Sequence, residues 1–230
     1  MTLSKQATIN GIIFDFDGTL LDSAPDLMAT VNKILKLEGR RPVTLNEVQG
    51  MIGDGMPTLL ERALNATGGI PSDAVLKKSI QQFVDIYTGE DAELNHLYPG
   101  AVETLQSLKE QGFTLALCTN KPITPTMAIV RKLDIEQYFS AISGGDSIPK
   151  IRKPDPRHLL AIIEELGMTP KQVVMIGDKE HDIHCARDAG VRSLLVSFGY
   201  AKMPLGEIGA DAIIDHLPDV ADAVQMLSHN

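Results

Sequence analysis

The chain has 230 residues, 43% of them hydrophobic and 22% charged, which is enough for a core domain plus a smaller one without disulfide staples. Its net charge of −9 repels phosphate backbones and anionic lipid, so nucleic acid and membrane are excluded as bulk partners, while a small anion in a local pocket is not. Cys118 and Cys185 make no disulfide framework, MTLSKQATIN has no apolar core of signal-peptide length, and no run nears the roughly 20 apolar residues of a membrane span, so the expectation is a soluble, cytoplasmic protein.

In chain order, the first predicted strand is Gly11–Phe14, a short apolar run that leads into FDFDGTLLDS at 14–23. Residues 22–95 then read as helices with no strand. Leu27, Val31, Ile34 and Leu35 line one face, Leu59, Leu60, Ala63 and Leu64 another, and Val75–Tyr87 forms a third helix. A helix follows over Pro99–Glu110, with Val102, Leu105 and Leu108 inward and Gly112 as its stop. Thr114–Cys118 is the next strand, and a weaker one lies near Ala141–Ile142. Asp155-Pro156 reads as an N-cap and first turn leading into His158–Leu166, with Gly167 as the stop. Strand Val173–Ile176, helix Asp182–Ala189 ended by Gly190, and strands Ser193–Val196 and Ala212–Ile214 complete the pattern.

Strands alternating with helices predict an α/β fold, a doubly wound parallel sheet with a Rossmann-like core. The helical block interrupts it as an inserted all-helical cap domain. The expected boundaries are 1–21 and 96–230 for the core and 22–95 for the cap.

A parallel sheet gathers its strand ends into one crevice. Here those ends carry Asp15, Thr119-Asn120-Lys121 and Asp178, with Asp182 close behind and the basic run Lys150–Lys153 ahead of a helix. Carboxylates crowded together raise each other's pKa, and oxygen ligands of one sign suit a hard cation such as Mg²⁺. A Lys and a Thr opposite suit phosphate oxygens. The constellation reads as phosphoryl transfer: Asp15 attacks phosphorus, and Asp17, two residues on, protonates the leaving oxygen.

FDFDGTLLDS, CTNK, KPDP and GDKEHD, in that order, resemble the haloacid dehalogenase superfamily of phosphohydrolases over nearly the whole chain, cap position included. The resemblance implies that Asp15 is the nucleophile, forming a phosphoaspartyl intermediate, and that Asp17 is the acid and then the base. It implies that the Asp17 carbonyl binds Mg²⁺, that Asp178 completes the metal site, and that Asp182 supports it from outside. Thr119 and the amide of Asn120 would hold the transferring phosphoryl group, and Lys153, chosen over Lys150 and Arg152 only by the match to KPDP, would neutralise charge. Lys179 departs from the pattern, which commonly has a small residue there.

CTNK and Met51–Pro57 are similar to the phosphoglycolate phosphatase group. That likeness implies a small phosphorylated substrate, a cap loop brought close by Gly53 and Gly55, and Lys121 or Arg62 as the partner of a substrate carboxylate. A β-phosphoglucomutase-like phosphosugar mutase on the same scaffold is the rival enzyme, and an aspartate-phosphorylated receiver module the rival of another class, although receivers are about half this length and lack a cap. An EF-hand is excluded because Leu20 stands where the loop needs glycine. His181 and His184 read as helix-surface histidines in preference to a zinc set with Cys185, Asp22 as a helix cap or hinge residue, and Cys118 as a buried strand cysteine.

Overall fold

The computed structural model describes residues 8–88 and 96–229. In chain order the elements are β1 (Gly11–Phe14), β2 (Leu21–Asp22), α1 (Ala24–Leu37), α2 (Leu45–Gln49), α3 (Met56–Ala66), α4 (Asp73–Thr88) and β3 (His96–Leu97). They continue with α5 (Ala101–Glu110), β4 (Thr114–Cys118), α6 (Ile123–Lys132), β5 (Ala141–Ser143), α7 (Pro156–Glu165), β6 (Val173–Gly177), α8 (Glu180–Ala189), β7 (Arg192–Val196), α9 (Leu205–Ile208), β8 (Ala212–Ile214) and α10 (Val220–His229).

Six strands form a parallel sheet in the order β5-β4-β1-β6-β7-β8. Its central strands β1, β4 and β6 are almost wholly apolar and buried because both faces are covered. Ile12, Phe14, Leu115, Leu117, Val174 and Ile176 join the core on one side, and Ile13, Ala116, Cys118 and Met175 join that on the other. The period of two thus divides one apolar run between two cores. The first of these cores continues into the cap, taking in Leu27, Val31, Leu59, Leu60 and Phe83.

β1 sits between β4 and β6, and Phe14 is in register with Leu117 and Ile176. The chain leaves β1 in one direction for β4 and later in the other for β6, so the order reverses at β1. A crevice opens at the carboxyl ends of strands at such a point. The residues just past these three strands face one another across it.

The structure adjusts several expected elements. A two-stranded ribbon brackets the block 22–95: β2 pairs antiparallel with β3, Leu21 opposite Leu97 and Asp22 opposite His96, and among the described residues the elements between them are all helices. This ribbon joins core to cap where the chain leaves and returns. Asp22 is not a helix cap: Ser23 holds the N-cap position of α1, and the Asp22 carboxylate accepts from Tyr200 Oη at 2.7 Å. The helix expected from Pro99 begins at Ala101, and Val102 faces solvent while Leu105 and Leu108 are buried. Helix α2, too short to show a period, is built on a Thr44–Glu47 capping box. Asp155 caps α7 as expected, accepting from the Arg157 amide.

Candidate active site

The FDFDGT turn places Asp15 at the end of β1, where its amide donates to the Ile176 carbonyl. Gly18 adopts φ +87°, and a Cβ there would meet the Asp178 carboxylate at 2.2 Å, so only glycine lets this turn pass so close to β6. Thr119, just past β4, is buried, and its hydroxyl accepts from the Lys121 amide. Asp178, just past β6, accepts on Oδ2 from the Tyr200 amide at 2.7 Å.

Lys153 is the cationic centre. Its ammonium lies 2.8 Å from Asp15 Oδ1 and donates to Asp182 Oδ1 and the Cys118 carbonyl, each at 2.6 Å. Three donors meet three acceptors in a buried setting. Burial alone would lower the Lys153 pKa, but Asp15 and Asp182 outweigh it and raise it. It is fixed as a cation, and among Lys150, Arg152 and Lys153 it is the one buried.

Asp15, Asp178 and Asp182 offer oxygens within 4.8 Å of one another, all buried. Burial pushes the Asp15 carboxyl up to about 6, with Asp182 adding to the rise and Lys153 opposing it. Burial also raises Asp178 well above the usual range, helped by Asp182 and Asp15. Buried carboxylates that repel one another are the situation a divalent cation relieves, and an all-oxygen set fits Mg²⁺. Asp182 is already committed: Oδ1 faces Lys153, and Oδ2 accepts from the amides of Asp178 and Lys179. It suits the support of a metal site better than direct ligation. His181, His184 and Cys185 form no metal-holding group among the described residues.

A cavity of about 30 Å³ is lined by Asp15, Asp17, Thr119, Asn120, Lys121, Lys153, Asp178 and Asp182 from the core, with Gly53 and Gly55 from the cap loop. Of the residues assigned to the site from the sequence, Arg62 is the one that does not line this cavity. It donates to the Met51 carbonyl and pairs with Asp54, bracing the cap loop from behind. Lys121 lines the cavity, but its ammonium rests on the Asp17 carboxylate. His181 is not a plain helix-surface residue: it lines the cavity, with Nε2 3.3 Å from Asp54 Oδ1. Tyr200 escaped notice in the sequence. Its amide holds Asp178, its hydroxyl donates to Asp22, and the Ala24 amide donates to that hydroxyl, so it ties the carboxylate cluster to the ribbon. Nothing in the run Phe198-Gly199-Tyr200 signals this, because both contacts bridge elements remote in sequence.

The model of haloacid dehalogenase-like hydrolases matches residues 12–196, from β1 through β7. The chain belongs to this family. It is 39% identical to a phosphoglycolate phosphatase of Cereibacter sphaeroides (strain ATCC 17029) over 94% of this chain and 98% of that one. It is 40% identical to that of Caulobacter vibrioides, over 96% and 94%. A crystal structure described as a predicted phosphoglycolate phosphatase from Haemophilus somnus 129pt superposes with a TM-score of 0.89 at 33% identity, covering 94% of this chain and 98% of that one. This family member is a phosphatase, resembling the phosphoglycolate phosphatases within the family. Among the described residues no helix is long and apolar enough to cross a membrane.

Proposed function

We propose that this phosphatase is a Mg²⁺-dependent, cytoplasmic phosphomonoester hydrolase acting through a phosphoaspartyl intermediate on Asp15, with phosphoglycolate as the favoured substrate. One observation carries the chemistry. Asp15 ends β1 with the fixed cation of Lys153 on its Oδ1 and lies within the carboxylate cluster with Asp178. The names of the curated relatives support the choice of substrate.

In the first half-reaction the Asp15 carboxylate attacks phosphorus and the ester P–O bond breaks. Asp17 gives a proton to the departing alkoxide. In the second half, Asp17 takes a proton from water, which attacks the phosphoaspartate. Inorganic phosphate leaves and Asp15 is restored. The Thr119 hydroxyl and the Asn120 amide hold phosphoryl oxygens, and Lys153 neutralises charge between the two anions. Asp15, the Asp17 carbonyl and Asp178 would hold Mg²⁺, with Asp182 in support. The ion would supply charge neutralisation between nucleophile and phosphate. Residues 22–95 act as the cap and 1–21 with 96–230 as the core. The cap loop at Gly53 and Gly55 sits over the substrate, and Lys121 meets its carboxylate.

The test is a panel of phosphate esters ranked by kcat/KM with Mg²⁺. Phosphoglycolate is expected to lead, with stoichiometric release of inorganic phosphate. A leading sugar phosphate that is isomerised without phosphate release would replace the hydrolase with a mutase.

A further inference from the structure

The cap loop over the cavity is held down from the core by three side chains. Asn120 Nδ2 donates to the Gly53 carbonyl at 2.8 Å, and His181 Nε2 stands 3.3 Å from Asp54 Oδ1. Lys179 makes the third tie. Its ammonium donates to the Ile52 carbonyl at 2.5 Å and to the Gln49 carbonyl at 3.3 Å. Gln49 ends α2, where helical carbonyls lack internal partners and the dipole favours a cation. The ammonium also sits 5.7 Å from the centre of the Tyr200 ring, and the residue is 7% exposed.

This placement is unlike that of the other two cavity lysines, whose ammonium groups face carboxylates. Lys179 reaches across from the residue after Asp178 and spends its donors on cap backbone. Closed, these bonds are shielded from water and strengthened by the low local dielectric. Open, water solvates both the ammonium and the carbonyls, so the tie is reversible. A small side chain at 179 offers no such donor. The cavity of about 30 Å³ below the loop is small beside the several hundred cubic ångströms usual for ligand sites. The loop thus roofs the cavity that holds Asp15.

We propose that Lys179 is a positioning residue that latches the cap loop of residues 49–55 shut over Asp15. The latch is a feature of the chain by itself, and its effect on turnover rests on the phosphomonoesterase reading above.

The experiment is amide hydrogen exchange on the protein without substrate or metal. Lys179→Met keeps the aliphatic stem and removes the donors. It should speed exchange across 50–57 by about fivefold or more while β1 and β6 stay protected. Lys179→Arg, which restores a donor, should return exchange to within about twofold of wild type. With phosphoglycolate, Lys179→Met should lower kcat/KM by about five- to tenfold, mainly through KM. Unchanged exchange over 50–57, or an equal rise in β1 and β6, would overturn the latch whatever the activity. Should Lys179→Met fail to fold, amine labelling of the wild type decides. Lys179 should react about tenfold or more slowly than the exposed Lys77, and equal rates would overturn the proposal.

Discussion

Lys121 places its ammonium 2.8 Å from Oδ1 and 2.9 Å from Oδ2 of Asp17, with the Tyr87 ring 4.8 Å away. Burial alone would lower the Lys121 pKa, but Asp17 and Tyr87 outweigh it and raise it. A cap residue, Tyr87, and a core residue, Asp17, thus share one cation. In the proposed reaction a substrate carboxylate competes for that ammonium, and drawing it off would free Asp17 for proton transfer.

Lys121→Met should therefore lower kcat/KM for phosphoglycolate by about a hundredfold. Arg62→Ala should cost less than about threefold, because Arg62 lies behind the loop and outside the cavity. Steady-state kinetics on the two variants settles which cation serves the substrate, and a larger loss in Arg62→Ala would reverse the assignment.

Asp15→Asn should reduce turnover at least a hundredfold while the fold stays intact, since the amide is no nucleophile. Removing one of three crowded buried carboxylates relieves repulsion, so its Tm should not fall. EDTA should abolish wild-type turnover and Mg²⁺ restore it. Residual turnover above about one per cent in Asp15→Asn would remove Asp15 from the nucleophile role.

Asp26, in the first turn of α1, is 5% exposed, and among the described residues neither carboxylate oxygen has a hydrogen-bond partner. Burial pushes its pKa up to about 6, against the opposing pull of His96 and Lys121. A carboxyl raised in the folded state is stabilising when protonated, and that contribution is lost as pH rises through about 6. Asp26→Asn should raise Tm by about 2–4 °C at pH 8, equivalent to about 1 kcal/mol, with the gain gone by about pH 4. Thermal melts of both proteins across that range check it.

Gly55 adopts φ +86°, and a Cβ there would stand 3.2 Å from the Asn120 carbonyl. Gly55→Leu must strain the backbone and push the cap loop off the Thr119-Asn120 turn. Relative rates among esters of different size should change by about threefold or more, whereas rates on all esters scaled equally would show that this loop does not select substrate.

The sequence by itself determined the strands and the residues at their ends. Short apolar runs buried on both faces need no partner information to be recognised, and an aspartate, threonine or aspartate after such a run lands at the carboxyl edge of a parallel sheet. That is why Asp15, Thr119 and Asp178 were legible, as was the helical block that became the cap. The tertiary structure alone decided which cation serves which anion. Lys153 faces Asp15 and Asp182, Lys121 faces Asp17 across 104 residues, and Lys179 faces the Ile52 carbonyl across 127. Arg62, equally basic and equally suited on paper, turns to Asp54 and the Met51 carbonyl. Periodicity records which way a side chain points from its own element, but an ion pair depends on where a second element has packed. That packing is set by the sheet order and the seating of the cap.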